Sequence, residues 1–175
     1  VLIMQMLKPG GRAAVVLPDG FLFGEGIKTR IKEKLLEECN LHTIVRLPNG
    51  VFSPYTGIKT NLLFFTKGAP TKDIWFYEHP YPEGVKSYNK TKPMKIEEFD
   101  VEQKWWGNEG DIFAGRKESE HAWRVGIRDI QERGYNLDLK NPHIDERKIH
   151  DPEVLMKQYF EVQNQIVSAL FLSRH

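Results

Sequence analysis

The sequence is poor in the features that would announce a function outright. It has one cysteine, Cys39, among 175 residues. That excludes an intrachain disulfide framework and fits a reducing, cytoplasmic setting. No apolar run is long enough to cross a bilayer, and no charged-then-apolar signal segment opens the chain, so no membrane partner is expected. Charge of one sign is also lacking: Lys and Arg total 25 against 24 Asp and Glu. A nucleic-acid-binding chain is expected to carry a basic surplus. DNA contact would therefore need a local basic patch or a partner subunit that holds most of the DNA.

Metal and phosphate motifs are missing too. The six histidines are scattered, with no pair at metal spacing and no cysteine cluster, so no metal site is expected. Lys8-Pro9-Gly10-Gly11 is not followed by Gly-Lys-Ser/Thr and is not a P-loop. Gly24-Glu25-Gly26 stands where a dinucleotide fingerprint would, but Thr29 replaces the third glycine, and a flexible lead into a helix is the plainer reading. Asn89-Lys90-Thr91 matches a glycosylation sequon without a secretion signal to make it relevant.

What is present is ordinary in bulk. A hydrophobic content of 40% and a charged content of 28% are those of a soluble globular protein with room for one domain or slightly more. The first residue is Val, and VLIMQML reads as the middle of an apolar element. The chain is expected to be a piece of a longer polypeptide.

The pattern along the chain is that of an α/β protein. Val1 to Leu7 reads as a helix end and Lys8 to Gly11 as a turn. Ala13 to Leu17 has no polar alternation, which suits a central parallel strand covered on both faces. Ile27, Ile31, Leu35 and Cys39 recur every four residues among charges, which predicts an amphipathic helix. Thr43 to Leu47 and Thr60 to Thr66 read as strands. A β–α–β order would make the Ala13 and Thr43 strands parallel neighbours, and the short loop from Pro48 to Lys59 makes the Thr60 strand antiparallel. Ile74 to Tyr77 reads as one more strand. Glu78 to Asn108 reads as an irregular extension, and Ile127 to Arg133 as a short helix stopped by Gly134. Asp151 and Pro152 open a last helix, where Leu155, Tyr159, Val162, Ile166 and Ala169 form a seam of coiled-coil type.

Two places stand out as candidate sites. Asp19 follows the carboxyl end of a buried strand, where open α/β sheets bind ligands; as part of Pro18-Asp19-Gly20 it also reads as a turn residue. The loop from Leu47 to Gly57 lies beyond another strand's carboxyl end and carries Phe52 and Tyr55. Such aromatics either fill a gap over the core or form a wall for a flat base, worth about 1–3 kcal/mol per base. Trp105, Trp106, Phe113, Trp123 and Tyr135 are better read as a hydrophobic cluster pinning the extension than as a stacking surface. The last helix either caps its own domain or joins a bundle with another subunit, and its uncovered apolar face favours the partner.

Three ordered blocks carry a resemblance. Leu7-Lys8-Pro9-Gly10-Gly11-Arg12-Ala13-Ala14-Val15-Val16-Leu17-Pro18-Asp19-Gly20-Phe21-Leu22-Phe23 resembles the fifth-strand region of the modification (methyltransferase) subunit of type I restriction-modification systems. Leu47-Pro48-Asn49-Gly50-Val51-Phe52, with Thr60-Asn61-Leu62-Leu63-Phe64-Phe65, is similar to that family's sixth and seventh strands and the loop between them. Trp123 with the stretch from Gly134 to Pro142 is similar to its C-terminal extension.

The resemblance implies an adenine-N6 DNA methyltransferase that uses S-adenosylmethionine on a flipped base. It implies assembly with a specificity subunit and a restriction subunit on double-stranded DNA. The family's Asn-Pro-Pro-Phe/Tyr motif and its glycine-rich cofactor loop are absent; Asn141-Pro142-His143 lacks the second Pro and the aromatic. No catalytic and no cofactor-binding residue can therefore be named, and the fragment alone is expected to be inactive. Phe52, then Tyr55, then Asp19 are the residues expected to meet the adenine. The implied layout is the C-terminal half of a Rossmann-like methyltransferase sheet over 1–68, an aromatic-rich extension over 69–150 and an assembly helix over 151–175. The alternative is a non-catalytic module that binds the specificity subunit. The open edge of the Ala13 strand also offers a route to self-association.

Overall fold

The structure is a computed structural model that describes residues 1–144 together with Met156, Tyr159 and Gln163. The chain divides into Val1–His143 and Ile144–His175, and every element named below lies in the first. The helix expected over 151–175 falls almost wholly outside the described residues; the three that are described there are helical.

The elements in order are α1 (Leu2–Met6), β1 (Arg12–Pro18), α2 (Asp19–Leu22), α3 (Ile27–Glu38), β2 (Cys39–Arg46), β3 (Thr60–Lys67), β4 (Asp73–Glu78), α4 (Asp100–Trp106), β5 (Ala122–Gly126) and α5 (Ile127–Glu132). The strands form one sheet in the order β1-β3-β2-β4-β5. β3 is antiparallel to both β1 and β2, β4 is parallel to β2, and β5 is antiparallel to β4.

Two expectations about β1 are corrected. β1 and β2 point the same way but are not neighbours, because β3 turns back from β2 and fills the place between them. β1 is also not covered on both faces: among the described residues it is an edge strand, and its burial alternates, with Val16 half exposed. Ala13, Val15 and Leu17 pack on the core, while Ala14 and Val16 lie on the opposite side of the strand.

The pleat sorts side chains between two faces. Val15, Leu63, Ile44, Phe76 and Trp123 align across the strands on one face. They pack with Met4 of α1, Leu35 and Leu36 of α3, Ile130 of α5, Leu137 and Leu139. The helix α3 is rotated from its expected seam: Lys32, Leu35 and Leu36 are buried, with Cys39 just after, while Ile27 at its start is 77% exposed. Val45, Leu62, Phe64, Tyr77 and Ala122 lie on the other face, under Met94, Phe99, Trp105 and Trp106.

The extension is more ordered than expected. It holds a 3-10 turn at Ile96–Phe99 and then α4. Strand β5 was not foreseen either; its Trp123 stacks on Phe76 with ring centres 5.4 Å apart. The aromatic group expected to form one cluster is split by the sheet. Trp123 and Tyr135 belong to the α3 face, whereas Trp105, Trp106 and Phe113 surround the Arg116 guanidinium at 4.4, 5.0 and 3.8 Å. Arg116 also donates from Nη1 to Thr43 Oγ1 at 2.8 Å and from Nε to the Trp106 carbonyl at 2.7 Å. Burial lowers its pKa to about 10, so it remains a cation at neutral pH. Gly134 ends α5 at φ +63, as a left-handed stop requires.

Candidate functional site

The carboxyl rim of β1, β2 and β4 gathers polar residues in one row. Leu17 of β1 pairs with Asn61 of β3, Asn61 with Arg46 of β2, and Arg46 with Glu78 of β4. Register and alternation place Asn61, Arg46 and Glu78 side by side at the end of the α3 face. Asn61 Nδ2 donates to Asp19 Oδ1 at 2.7 Å. Arg46 Nη2 donates to Asp138 Oδ1 at 2.7 Å and lies 3.9 Å from Asp19 Oδ1. Arg46 Nη1 donates to the Leu139 carbonyl at 2.8 Å. Asn141 Nδ2 donates to the Glu120 carbonyl at 2.7 Å and reaches Glu78 Oε2 at 3.3 Å.

The segment 137–141 is thus a strap across the rim. It is tied to the β1 end by Leu137 N–H to the Leu22 carbonyl at 3.0 Å, to β2 through Arg46, and to β4 through Asn141. Asn61 is fully buried, and neither its Oδ1 nor the Thr60 Oγ1 beside it has a hydrogen-bond partner. The rim therefore retains acceptor capacity.

The loop between β2 and β3 rises from this row. Its feet close on each other, with Leu47 N–H donating to the Thr60 carbonyl at 3.0 Å and Asp19 N–H to the Lys59 carbonyl at 2.9 Å. Val51 packs against the cluster on the α4 face. Tyr81 O–H donates to the Asn49 carbonyl at 2.9 Å. Gly50 has φ +83, and a Cβ there would lie 2.6 Å from the Tyr88 carbonyl oxygen, so this turn takes glycine for two reasons. Beyond these anchors Phe52 is 38% and Tyr55 93% exposed. The Ser53–Pro54 peptide is cis.

Of the expected site residues, Asp19 belongs to the rim network, its carboxylate engaged by Asn61 and near Arg46. Phe52 and Tyr55 sit on the exposed part of the loop. Arg46, Asn61 and Asp138 were missed. The signal was weak but present: a lone Arg and a lone Asn flank the loop at the ends of two apolar strands.

The Gly24-Glu25-Gly26 turn is already filled by lysines. Lys32, buried, donates to the Leu22 and Gly24 carbonyls at 2.8 and 3.0 Å. Lys28 donates to the Gly20 carbonyl at 2.9 Å, and its stem passes 2.1 Å from where a Gly24 Cβ would stand. The two lysines cap the carbonyl end of α2 and so engage the turn's own carbonyls. Burial, with the Lys28 charge, holds Lys32 below the usual lysine pKa. Among the described residues no group of His, Cys, Asp and Glu could hold a metal ion, and no helix is long and apolar enough to cross a membrane.

Two further buried groups lie under the extension. His79 Nδ1 and Glu102 Oε1 form a buried pair, with Phe99 4.7 Å from the imidazole. His42 bonds Thr43 Oγ1 through Nδ1 at 2.7 Å and faces Phe113 at 4.7 Å. Burial lowers the His42 pKa to about 4, with Arg116 and Arg12 adding to the shift and Glu109 opposing it.

Residues 1–151 match the N-6 DNA Methylase family. The methylase subunit of the type I restriction enzyme EcoEI of Escherichia coli is 67% identical over 165 residues, which cover 94% of this chain and 34% of that protein. A solved modification subunit of a type I restriction enzyme from Vibrio vulnificus superposes with a TM-score of 0.74 at 50% identity, over 85% of this chain and 32% of its own. A chain from a structure of type I R-M system assembly and conformational transition gives 0.76 at 38% identity, over 96% and 36%. The chain therefore spans about a third of these relatives. The sheet with its inserted antiparallel strand, the match over most of the chain and these likenesses agree: the chain belongs to the N-6 DNA methylase family, among the methylase subunits of type I restriction enzymes.

Proposed function

We propose that the chain forms the target-side wall of an adenine-N6 DNA methyltransferase, with the catalytic and cofactor-binding residues supplied by the rest of the subunit. The loop from Leu47 to Lys59 would receive the flipped adenine. Phe52 and Tyr55 offer faces to the base, and Asp19 lies at the rim with Asn61. The observation that carries this is the contrast within the loop: feet fixed by hydrogen bonds, and a Tyr55 ring left 93% in solvent. A ring facing water adds little to the stability of the fold, whereas a base stacking on it recovers about 1–3 kcal/mol.

On this reading S-adenosylmethionine is the methyl donor of the complete subunit. The specificity subunit, the restriction subunit and double-stranded DNA are its partners, and the site of action is the cytoplasm, where the DNA is. The isolated chain should transfer no methyl group from S-adenosylmethionine to duplex DNA. Clear turnover by these 175 residues would overturn the reading. The open edge of β1 gives the isolated chain a route to self-association; a strictly monomeric species in sedimentation would count against it.

A second reading, an assembly module for the specificity subunit, is favoured by the strap. Its ties lie just before residues 144–175. Ending the complete subunit after Asn141 separates the two readings. Lost assembly with retained folding supports the module, and retained assembly removes it.

A further inference from the structure

We propose that Arg46 is a positioning residue that couples the strap 137–141 to the loop carrying Phe52 and Tyr55. This rests on the reading of that loop as the wall for the target base. Arg46 is the last residue of β2, directly before Leu47, the first foot of the loop. Its backbone is fixed from one side, because its carbonyl accepts from His79 N–H at 3.0 Å. Its guanidinium, only 15% exposed, joins two segments more than ninety residues apart, through Asp138 Oδ1 and the Leu139 carbonyl. The same Nη2 lies 3.9 Å from Asp19 Oδ1, the acceptor of Asn61 Nδ2. Asn61 stands one residue after Thr60, whose carbonyl closes the loop. One planar, permanently charged group therefore holds the outgoing foot directly and the returning foot through Asp19.

Geometry of this kind decides catalysis more than stability. A base wall displaced by about 1 Å costs on the order of 100-fold in rate. Arginine suits the task because its rigid fork meets a carboxylate and a carbonyl at once, which a lysine ammonium does only in part. Because the strap runs on toward residues 144–175, any partner that shifts the strap would also move the loop. Asp138 is the adjustable half of the joint, since its side chain is 36% exposed.

The test uses the complete methylase subunit assembled with its specificity subunit. Arg46→Met, Arg46→Lys, Asp138→Asn, Phe52→Ala and Tyr55→Ala are compared. The readouts are kcat per active site, KM for duplex DNA and for S-adenosylmethionine, and the fluorescence of 2-aminopurine placed at the target adenine. We expect Arg46→Met to lower kcat per active site by about 10- to 100-fold, with a matching loss of the flipped-base signal and an unchanged KM for S-adenosylmethionine. Arg46→Lys should recover part of both, and Asp138→Asn should lose less than Arg46→Met because the Leu139 bond survives. If Arg46→Met only reduces the amount of folded enzyme and leaves kcat per active site and fluorescence intact, Arg46 is structural and the proposal falls. The same holds for Arg46→Lys should the Met variant not fold. If both aromatic variants leave kcat and fluorescence unchanged, the loop reading itself fails and takes this proposal with it. Loss in the aromatic variants with none in the Arg46 variants removes the positioning role alone.

Discussion

Ile44, Leu63 and Phe76 point to one face of the sheet, and Val45, Leu62 and Tyr77 to the other, one residue apart along the same strands. The first face is closed by three helices carrying Met4, Leu35, Leu36 and Ile130, and its core is almost wholly apolar. The second is closed by the irregular stretch around α4, with rings, a buried guanidinium and the His79–Glu102 pair. Helices bring apolar stripes, so burial alone holds the first face. A short, loop-rich cover has little apolar area per residue and fixes itself through aromatic contacts and paired polar groups, which are worth less net and fail differently.

The largest test of that contrast is Phe76→Ala. Phe76 is fully buried and stacked on Trp123, so its truncation should cost about 3–5 kcal/mol, read as a fall in the denaturant midpoint at constant slope. A loss no greater than for a surface change would show that the helical face is not the main core.

The second face should break with acid instead. His42 is buried neutral, with its pKa lowered to about 4. The unfolded chain takes up the proton first, at its ordinary value near 6.5. The stabilisation is thus complete above about pH 6.5, is lost as pH falls toward 4, and amounts to about 3 kcal/mol. Denaturant titrations of the protein and of His42→Phe across this window should diverge on the acid side. Parallel curves would mean that His42 is hydrated in the fold.

Smaller again is the effect of Glu102→Ala. It leaves the buried His79 Nδ1 without its partner, at a cost of about 1–3 kcal/mol. Replacing both residues, as His79→Phe with Glu102→Leu, should return most of that loss, because an apolar pair of similar volume carries no desolvation penalty. Equal destabilisation by the single and double variants would sink the view that the pair is costly to break and cheap to replace.

The same division explains what could be read from the sequence. Residues 13–17, 43–47 and 60–66 were legible as strands because their apolar runs are continuous and bounded by turn residues. Their order was not. Nothing local tells that β3 returns between β1 and β2, since pairing is settled by which edges remain open after α3 crosses. The helix α3 was legible as a helix, but Lys32 was not recognisable as buried, because its acceptors at Leu22 and Gly24 are made by the turn geometry. α4 and β5 carry no sustained period. Their places depend on contacts such as Arg116 with Thr43, seventy-three residues apart. In the site, the exposed aromatics were visible and their supports were not. Arg46 finds Asp138 across ninety-two residues, a distance over which a single sequence carries no pattern.

The smallest expected effect on stability belongs to one of the two aromatics proposed to meet the base. Tyr55 is 93% exposed and its ring appears in none of the packing clusters. Tyr55→Ala should therefore change stability by no more than about 0.5 kcal/mol. In the complete subunit with its specificity partner it should weaken engagement of the flipped adenine by about 1–3 kcal/mol, which is roughly 5- to 150-fold in the binding constant. A purely structural loop predicts the reverse ranking, since a ring that filled a gap over the core would cost stability when removed and leave base binding alone. Measuring both quantities on one variant separates the cases. A loss of stability above about 1 kcal/mol with unchanged DNA methylation would return Tyr55 to the core, and with it the reading of the loop as a wall for the base.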